Sequence, residues 1–366
     1  MDREKKIRLL ARLSVFECEK DPDLKRHIYH ACTPSGRTPL LKIMQSTYCD
    51  RNCDYCVFRR DRESTPRVYI EPEDLAKGFY ELYKKGRVSG LFLSSGIFIH
   101  PEVTMEKMID TVLILRKNYG YKGYVHLKLM PGVSLQTLEK AVEVADRVSI
   151  NIEAPSEEKL KRIARSKSLR KDIVPKIREI SKILKNYKNK TQITQVMVGT
   201  SDETDREILK GTEYFYRRLS LARVYYSAFF PVRDTPMENR KAESRLREHR
   251  LYQADFLIKN YGFSAGELVF EDGNLRLDQD PKTAWALKNI HLFPVEINTA
   301  DYETLIRVPG IGPATAREII RRRSESPIKD PVDLRGIRNL KKIIQFVTLR
   351  GRYFGKGRVN TTGSLF

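Results

Sequence analysis

Between residues 40 and 230 the chain alternates short β-rich apolar runs with longer amphipathic segments, and this alternation constrains its fold more than any other feature. The runs are LLKIMQS (40–46), SGLFLSS (89–95), YVHLKLM (124–130), RVSINIE (147–153), TQITQVMVG (191–199) and RVYYSAFF (223–230). Helical patterns lie near 72–86, 104–118, 134–144, 156–164, 173–186 and 203–219. Several open on a suitable cap or first-turn residue: Pro72 before Glu73 and Asp74, Ser134, Ser156, and Ser201–Asp202. Near-continuous apolar strands separated by helices imply a parallel sheet covered on both faces. Six such units predict an α/β chain built on a partial (β/α)6 TIM-like barrel, with its chemistry at the C-terminal ends of the strands.

At ~150 residues per domain, 366 residues leave room for a second domain. The divisions expected are a helical N-terminal extension (1–39), the barrel (40–235), a basic helical linker facing the substrate (236–284), a compact helical unit (285–350) and a mobile tail (351–366). Within the linker, residues 238–262 read as one long basic helix ending at Gly262. No apolar run approaches the ~18 residues of a membrane span. The opening MDREKKIRLLARL lacks the apolar core of a signal peptide. The expectation is a cytoplasmic protein with no membrane partner.

Three of the five cysteines, Cys49, Cys53 and Cys56, fall in one eight-residue stretch with spacing C-x3-C-x2-C, directly after the first strand. An odd cysteine count makes a poor disulfide framework. Three thiolates on one tight loop can ligate three irons of a cubane and leave the fourth without a protein ligand. A structural zinc would recruit a fourth ligand with its own paired spacing. His27, His30 and Cys32 upstream keep that alternative open.

The loop resembles the radical S-adenosylmethionine (SAM) signature, including the aromatic Tyr55 before the third cysteine. The resemblance implies a [4Fe–4S] cluster on Cys49, Cys53 and Cys56, with SAM as the second cofactor. It further implies an electron donor such as flavodoxin or ferredoxin, and reductive cleavage of SAM to a 5′-deoxyadenosyl radical. In that family the second strand ends in a Gly-rich segment that meets the methionine amino group. Here the segment is Ser94-Ser95-Gly96, without the usual acidic residue. On the fourth strand, period-two alternation places Asn151 and Glu153 on one side, at a position resembling the family's ribose and methionine contacts. Lys128 and Gln195 are expected to project near the barrel top. Unpaired, such groups would cost ~1–3 kcal/mol each, which favours a ligand site over a plain core. His126 reads as a satisfied strand residue and Lys167 as a solvated loop charge.

Residues 297–323 read INTADYETLIRVPGIGPATAREIIRRR: a first helix near 299–307, the turn Val308-Pro309-Gly310-Ile311-Gly312, then a helix from Pro313. This resembles the helix-hairpin-helix motif of DNA repair and DNA uptake proteins. Two glycines let backbone N–H groups approach a phosphate, and the second helix adds positive potential at its N-terminus. The nucleic-acid contacts expected are Val308, Gly310, Ile311, Gly312, Ala314, Thr315, Arg317 and Arg321, with Arg321–Arg323 extending the positive surface. A second, degenerate hairpin is expected around 334–342.

The net charge is +21, and the segment 285–366 is the most basic per residue, with 15 basic against 7 acidic side chains. Such an excess favours a polyanionic partner through release of counterions from phosphates. In the linker helix, Arg250 and Tyr252, with Tyr226 on the sixth strand, are candidates to face a substrate by holding phosphates and stacking on bases. Leu246, Tyr252, Phe256 and Leu257 read as its apolar packing face. Nearly the whole chain resembles radical SAM proteins described as DNA modification or repair proteins with a C-terminal helix-hairpin-helix. The resemblance implies action on a base or sugar of DNA, with a repair partner protein. The alternatives are a radical SAM enzyme modifying RNA or tRNA, and a non-catalytic nucleic-acid-binding protein with a structural metal cluster.

Overall fold

The computed structural model describes residues 1–14, 28–33 and 36–355. Cys18, His27 and the chain from residue 356, with the side chains of His30 and Cys32, lie outside what is described. The chain divides into two compact units: Met1–Glu203 with Phe215–Ser244, and Thr204–Tyr214 with Arg245–Phe366. Among the described residues no helix is long and apolar enough to cross a membrane.

The first unit is a seven-stranded sheet in sequence order: β1 (Ile28–Thr33), β2 (Gly36–Met44), β3 (Gly90–Ser94), β4 (Tyr124–Lys128), β5 (Arg147–Ser149), β6 (Thr191–Val198) and β7 (Arg223–Ala228). Strands β2 to β7 are parallel and form a curled half-barrel, while β1 pairs antiparallel with β2. Among its described residues, the region expected to be a helical extension holds α1 (Arg3–Leu13) and an edge strand, and β2 begins earlier than expected. The other helices are α2 (Pro72–Lys84), α3 (Pro101–Lys117), α4 (Leu135–Val144), α5 (Glu157–Ile163), α6 (Val174–Leu184) and α7 (Asp205–Leu219). A π-helical turn at Leu169–Ile173 precedes α6.

The period of two decides which side chains meet the helices. Ile43, Leu93, Leu127 and Val148 form one row across β2–β5, none more than 1% exposed. Each such side chain contributes about 1.5–3 kcal/mol by leaving water. The alternate residues Lys42, Phe92, His126 and Arg147 form a matching row on the concave face. Ser134 and Ser156 accept N–H bonds from Thr137 and Lys159, so both cap as expected. The cap expected at Ser201–Asp202 falls instead at Thr204, whose hydroxyl accepts from Glu207 N at 3.2 Å.

In the second unit the basic helix is shorter than expected, α8 (Arg245–Asn260), and stops at Gly262, whose φ of +70° suits glycine. It is followed by α9 (Pro281–Lys288), α10 (Tyr302–Leu305), α11 (Pro313–Glu325) and α12 (Leu340–Ile343). Residues 245–284 belong to this unit rather than to a separate linker. Its core joins Phe263, Trp285, Phe293 and Phe346 through edge-on ring contacts of 5.1–6.2 Å. Small strands accompany the helices: Val295–Glu296 pairs with Val347–Leu349, which pairs back with Arg352–Tyr353. The Glu296 carboxylate accepts from Gly351 N at 2.8 Å and Arg350 N at 3.1 Å. Burial opposes its charged form, but these and neighbouring donors hold its pKa down at about 2. The division expected at residue 350 would cut this hairpin, so the ordered unit runs on past it.

Candidate functional site

The cysteine loop extends the β2–β3 ladder beyond the strands. Gly96 N donates to Ser46 O at 2.8 Å, and Asp50 N donates to Ile97 O at 2.7 Å. A Cβ on Gly96 would lie 2.1 Å from the carbonyl oxygen of Tyr48 and 3.1 Å from Cβ of Cys49. Ser94 and Ser95 are both buried, and the Ser95 hydroxyl donates to Gly96 O at 2.7 Å. On the far side, Asp54 N donates to Ile163 O at 2.8 Å. The Arg67 guanidinium closes the loop, donating to the carbonyls of Thr47, Phe58, Arg59, Arg60 and Arg62 at 2.6–3.2 Å. Sequence reasoning missed Arg67, because a lone arginine beside Pro66 carries no spacing signal.

Cys53 is buried, while Cys49 and Cys56 are part-exposed. Burial raises the Cys56 thiol to about 12, with the neighbouring Cys53 and Cys49 adding to the rise. Burial also pushes Cys53 up, opposed by Lys167. The three sulfurs are thus close enough to sense one another. Among the described residues no three His, Cys, Asp or Glu side chains converge as around a single ion. The set fits a cubane, where each cysteine thiol loses its proton on binding and takes its own iron as a thiolate.

Glu153, expected among the SAM contacts, sits beside this loop at 4% exposure, with φ +62°. The continuous strand ends at Ser149, and Glu153 is placed by a left-handed residue that bridges Val196 of β6 in parallel, with Met197 N donating to Glu153 O at 2.8 Å. Ile152 N and Glu153 N both donate to Gln195 O, at 3.1 and 3.0 Å. Lys167 is no solvated charge: its Nζ meets Glu153 Oε1 at 3.0 Å, and both side chains are largely buried. Burial disfavours the charged forms of both. Lys167 and Lys128 nevertheless hold Glu153 below the ordinary carboxylate range, and Cys53 and Glu153 hold Lys167 above the ordinary lysine range. Tyr55 hydrogen-bonds Glu153, and burial with that carboxylate keeps its phenol protonated. Asn151 is part-exposed, as are Lys128 and Gln195 on the concave face. Replacing Lys167 by Met would strand the Glu153 carboxylate, a loss of about 3–5 kcal/mol. Urea unfolding should show it, and Lys167→Met with Glu153→Gln should recover most of the loss.

His126 is a satisfied strand residue, as expected. Its Nε2 lies 2.9 Å from Ser149 Oγ, and burial together with Arg147, Lys128 and Lys42 keeps its pKa well below the usual histidine range. Tyr226 is 2% exposed and faces away from the concave side, which Tyr225 occupies instead. The two tyrosines are adjacent in sequence, and their pairing with β6 decides which of them faces inward. Arg250 is tied to Leu277 O at 2.7 and 3.2 Å and to Gln253 at 2.8 Å. Tyr252 is part-buried, whereas Leu246 and Phe256 are exposed rather than packed; Leu251, Ala254, Leu257 and Ile258 form the buried face.

In the second unit α10 spans only Tyr302–Leu305, and the turn Val308–Gly312 leads into α11. Gly310 has φ +92°, and a Cβ there would lie 2.9 Å from Ile343, so glycine is required twice over. Val308 and Ile311 are buried, and their N–H groups are spent inside the turn, Val308 N on Leu305 O at 3.1 Å and Ile311 N on Val308 O at 3.0 Å, so neither is the phosphate donor expected of it. No side chain caps α11, so its first N–H groups, at Ala314 and Thr315, face outward from the turn. Arg317 is exposed. Arg321 is not a free charge: Glu318 grips it with two contacts at 2.9 and 3.0 Å, and Glu325 with one at 2.5 Å. Arg322 and Arg323 donate to the carbonyls of Asp333, Arg335, Ile297 and Ala300. The second turn, with Gly336 at φ +86° and Asn339 at +59°, precedes α12 as the degenerate hairpin predicted.

Lys282 underpins the hairpin from below, a role its sequence position did not signal. It is 8% exposed, donates to Ile311 O at 2.5 Å and lies 4.7 Å from the Tyr261 ring centre. Burial lowers its pKa to about 7, with Lys342 adding to the fall and Asp280 opposing it. The unfolded chain keeps this proton up to the ordinary value near 10.5. Between those limits the unfolded state binds more protons, so stability rises with pH. The stability of Lys282→Met relative to the native protein should therefore fall as pH is raised from about 7 to 10, and stay level below 7; urea midpoints across that range test it.

The model of the Radical SAM superfamily matches residues 43–214. That of the helix-hairpin-helix motif matches residues 293–347. No curated protein matches the chain. Among solved structures, the methylornithine synthase PylB shares 18% identity over 70% of this chain and 69% of its own, with a TM-score of 0.49. The FeFe-hydrogenase maturase HydG from Carboxydothermus hydrogenoformans shares 15% over 60% of this chain, at a TM-score of 0.47. The alignment spans about half of that maturase, 51%. The cysteine loop and the matched family models, not these remote likenesses, carry the assignment: the chain holds a radical SAM domain, whose cofactors are a [4Fe–4S] cluster and SAM, together with a helix-hairpin-helix motif.

Proposed function

We propose that this protein applies radical chemistry to DNA, modifying or repairing a base or sugar, with Cys49, Cys53 and Cys56 as the cluster ligands. The observation that carries the nucleic-acid part is the hairpin Val308–Gly312. Its left-handed Gly310 and the uncapped start of α11 present backbone N–H groups to one side, with exposed Arg317 on the same helix. Such a surface grips sugar-phosphate backbone with little regard to sequence. The cluster and SAM, when bound, supply a radical that abstracts hydrogen from an unactivated C–H bond. The chain's own share is placement: Gly96 and Arg67 hold the cysteine loop, while Tyr55, Glu153 and Lys167 form a buried polar network beside it. Ser94, Ser95, Lys128, Asn151 and Gln195 are the further SAM contacts we propose. A one-electron donor of the flavodoxin or ferredoxin kind, and a repair partner, complete the reading. A duplex target would have to be unstacked to reach the radical.

The test is anaerobic reconstitution with iron and sulfide, then dithionite and SAM, with 5′-deoxyadenosine measured by mass spectrometry. The native protein should form it, faster with DNA than with RNA, and Cys53→Ala should form none. Stimulation by RNA alone would replace DNA by RNA as the substrate, and binding of zinc in place of a cluster would remove the enzyme reading. The hairpin has its own prediction. Arg317→Ala should weaken duplex binding similarly for all sequences and lower the slope of log affinity against log salt by about 1, read by fluorescence anisotropy.

A further inference from the structure

The concave face of the half-barrel carries a charge pattern that the cluster loop does not use. Reading inward-facing residues along β2–β7, the basic ones are Lys42, His126, Lys128, Arg147 and Arg223, and none is Asp or Glu. Lys42 is the sharpest of them. It is 6% exposed, and its Nζ has no hydrogen-bond partner among the described residues. Its Nζ lies over the Phe92 ring, 5.4 Å from the ring centre. Phe92 stacks on His126 at 4.1 Å, and His126 is committed to Ser149. Arg147, next in the same row, spends its Nε on Thr191 at 2.9 Å. A buried ammonium without a partner is costly, so its retention in a core row points to a ligand that supplies the missing oxygen.

The concave face is more open on the strands farther along the sheet from Lys42. On β6 and β7 the inward residues Gln195, Met197, Arg223, Tyr225 and Ser227 are part-exposed, while their outward neighbours are buried. Lys42 lies two residues before the end of β2, so its row sits about 7 Å below the strand ends. A flexible lysine stem reaches into that space. Aromatic rings share the face at Tyr124 and Tyr225, and such rings stack on bases of any sequence. Cationic nitrogens beside flat rings match the two halves of a nucleotide.

We infer that the half-barrel is itself a nucleotide-binding cavity, in which Lys42, with Arg147, holds the phosphate of the substrate nucleotide. The inference rests on the nucleic-acid reading above and places part of that recognition inside the catalytic unit. Phosphate oxygens supply the acceptors that Lys42 lacks, and the part-exposed tyrosine rings receive the base. The carboxylate of SAM is the other oxyanion available to this face.

The experiment compares 2′-deoxyadenosine 5′-monophosphate with 2′-deoxyadenosine by anaerobic calorimetry on the cluster-loaded full chain, with SAM titrated separately. The monophosphate should bind at least about tenfold more tightly than the nucleoside, the worth of a charged hydrogen bond. Lys42→Met should abolish that preference and leave SAM affinity unchanged. An apolar side chain in place of a lone buried ammonium does not threaten folding. Arg147→Gln, a second variant, should reduce the preference without abolishing it. Loss of SAM binding in Lys42→Met would assign the lysine to the cofactor carboxylate and overturn the proposal. An undiminished phosphate preference in that variant would overturn it too. Duplex binding through the hairpin is read separately with Arg317→Ala, so a failure there leaves the nucleotide result standing.

Discussion

The carbonyl oxygen of Tyr48 stands where a Cβ of residue 96 would be, at 2.1 Å, and the radical SAM domain depends on that gap being empty. With glycine there, the chain leaving β3 runs against the chain leaving β2. Two further backbone bonds form, and the cysteine loop becomes a continuation of the parallel ladder. A loop held on one edge by a sheet and on the other by a five-carbonyl arginine clamp has little freedom left. That matters for a group carried by three thiolates, because each sulfur must reach its own iron. It also explains how Ser94 and Ser95 substitute for glycines. Both are buried, and although Ser94 O accepts from Gln45 N at 2.7 Å, it is at Gly96 that a Cβ would run into the neighbouring backbone.

The barrel was legible because its signal is local. Every one of the six parallel strands coincides with an apolar run, and the helices between them fall where the amphipathic segments lie. What escaped was set by distant partners. Arg67 acts on carbonyls up to 20 residues away, and Lys167 finds Glu153 across 14 residues. Neither separation is a helical or strand period, so no pattern announces it. Glu153 was found for a reason that does not hold: the strand alternation that pointed to it ends at Ser149, and a left-handed backbone turn finishes the placement. Tyr226 shows the converse limit, since RVYYSAFF offers an aromatic in either phase and only the pairing with β6 fixes which one faces inward.

Net charge misleads unless it is followed to individual side chains. Arg116 holds the carbonyls of Tyr121, Gly123 and Val144, and Arg250 that of Leu277. Arg322 and Arg323 similarly join turns of the hairpin unit. Arginine suits this work because its planar fork serves several acceptors at once without losing charge. Many of the basic residues that make the chain so cationic are thus internal ties, and the surplus of +21 overstates the surface left for a polyanion.

The positive potential that remains is of two kinds. At the hairpins it comes from backbone dipoles and exposed basic side chains such as Arg317, Arg335 and Arg338, which suits a contact made and released in water, weak for each group and sensitive to salt. On the concave face it comes from buried and part-exposed side chains, among them a buried lysine with no acceptor among the described residues. A charge in that setting is expensive when alone and strong when paired, since the surrounding dielectric screens neither the cost nor the gain. The first kind selects a polymer by its backbone, and the second selects a single anionic group by its fit. A protein that must find one reactive C–H bond on a long polyanion has use for both.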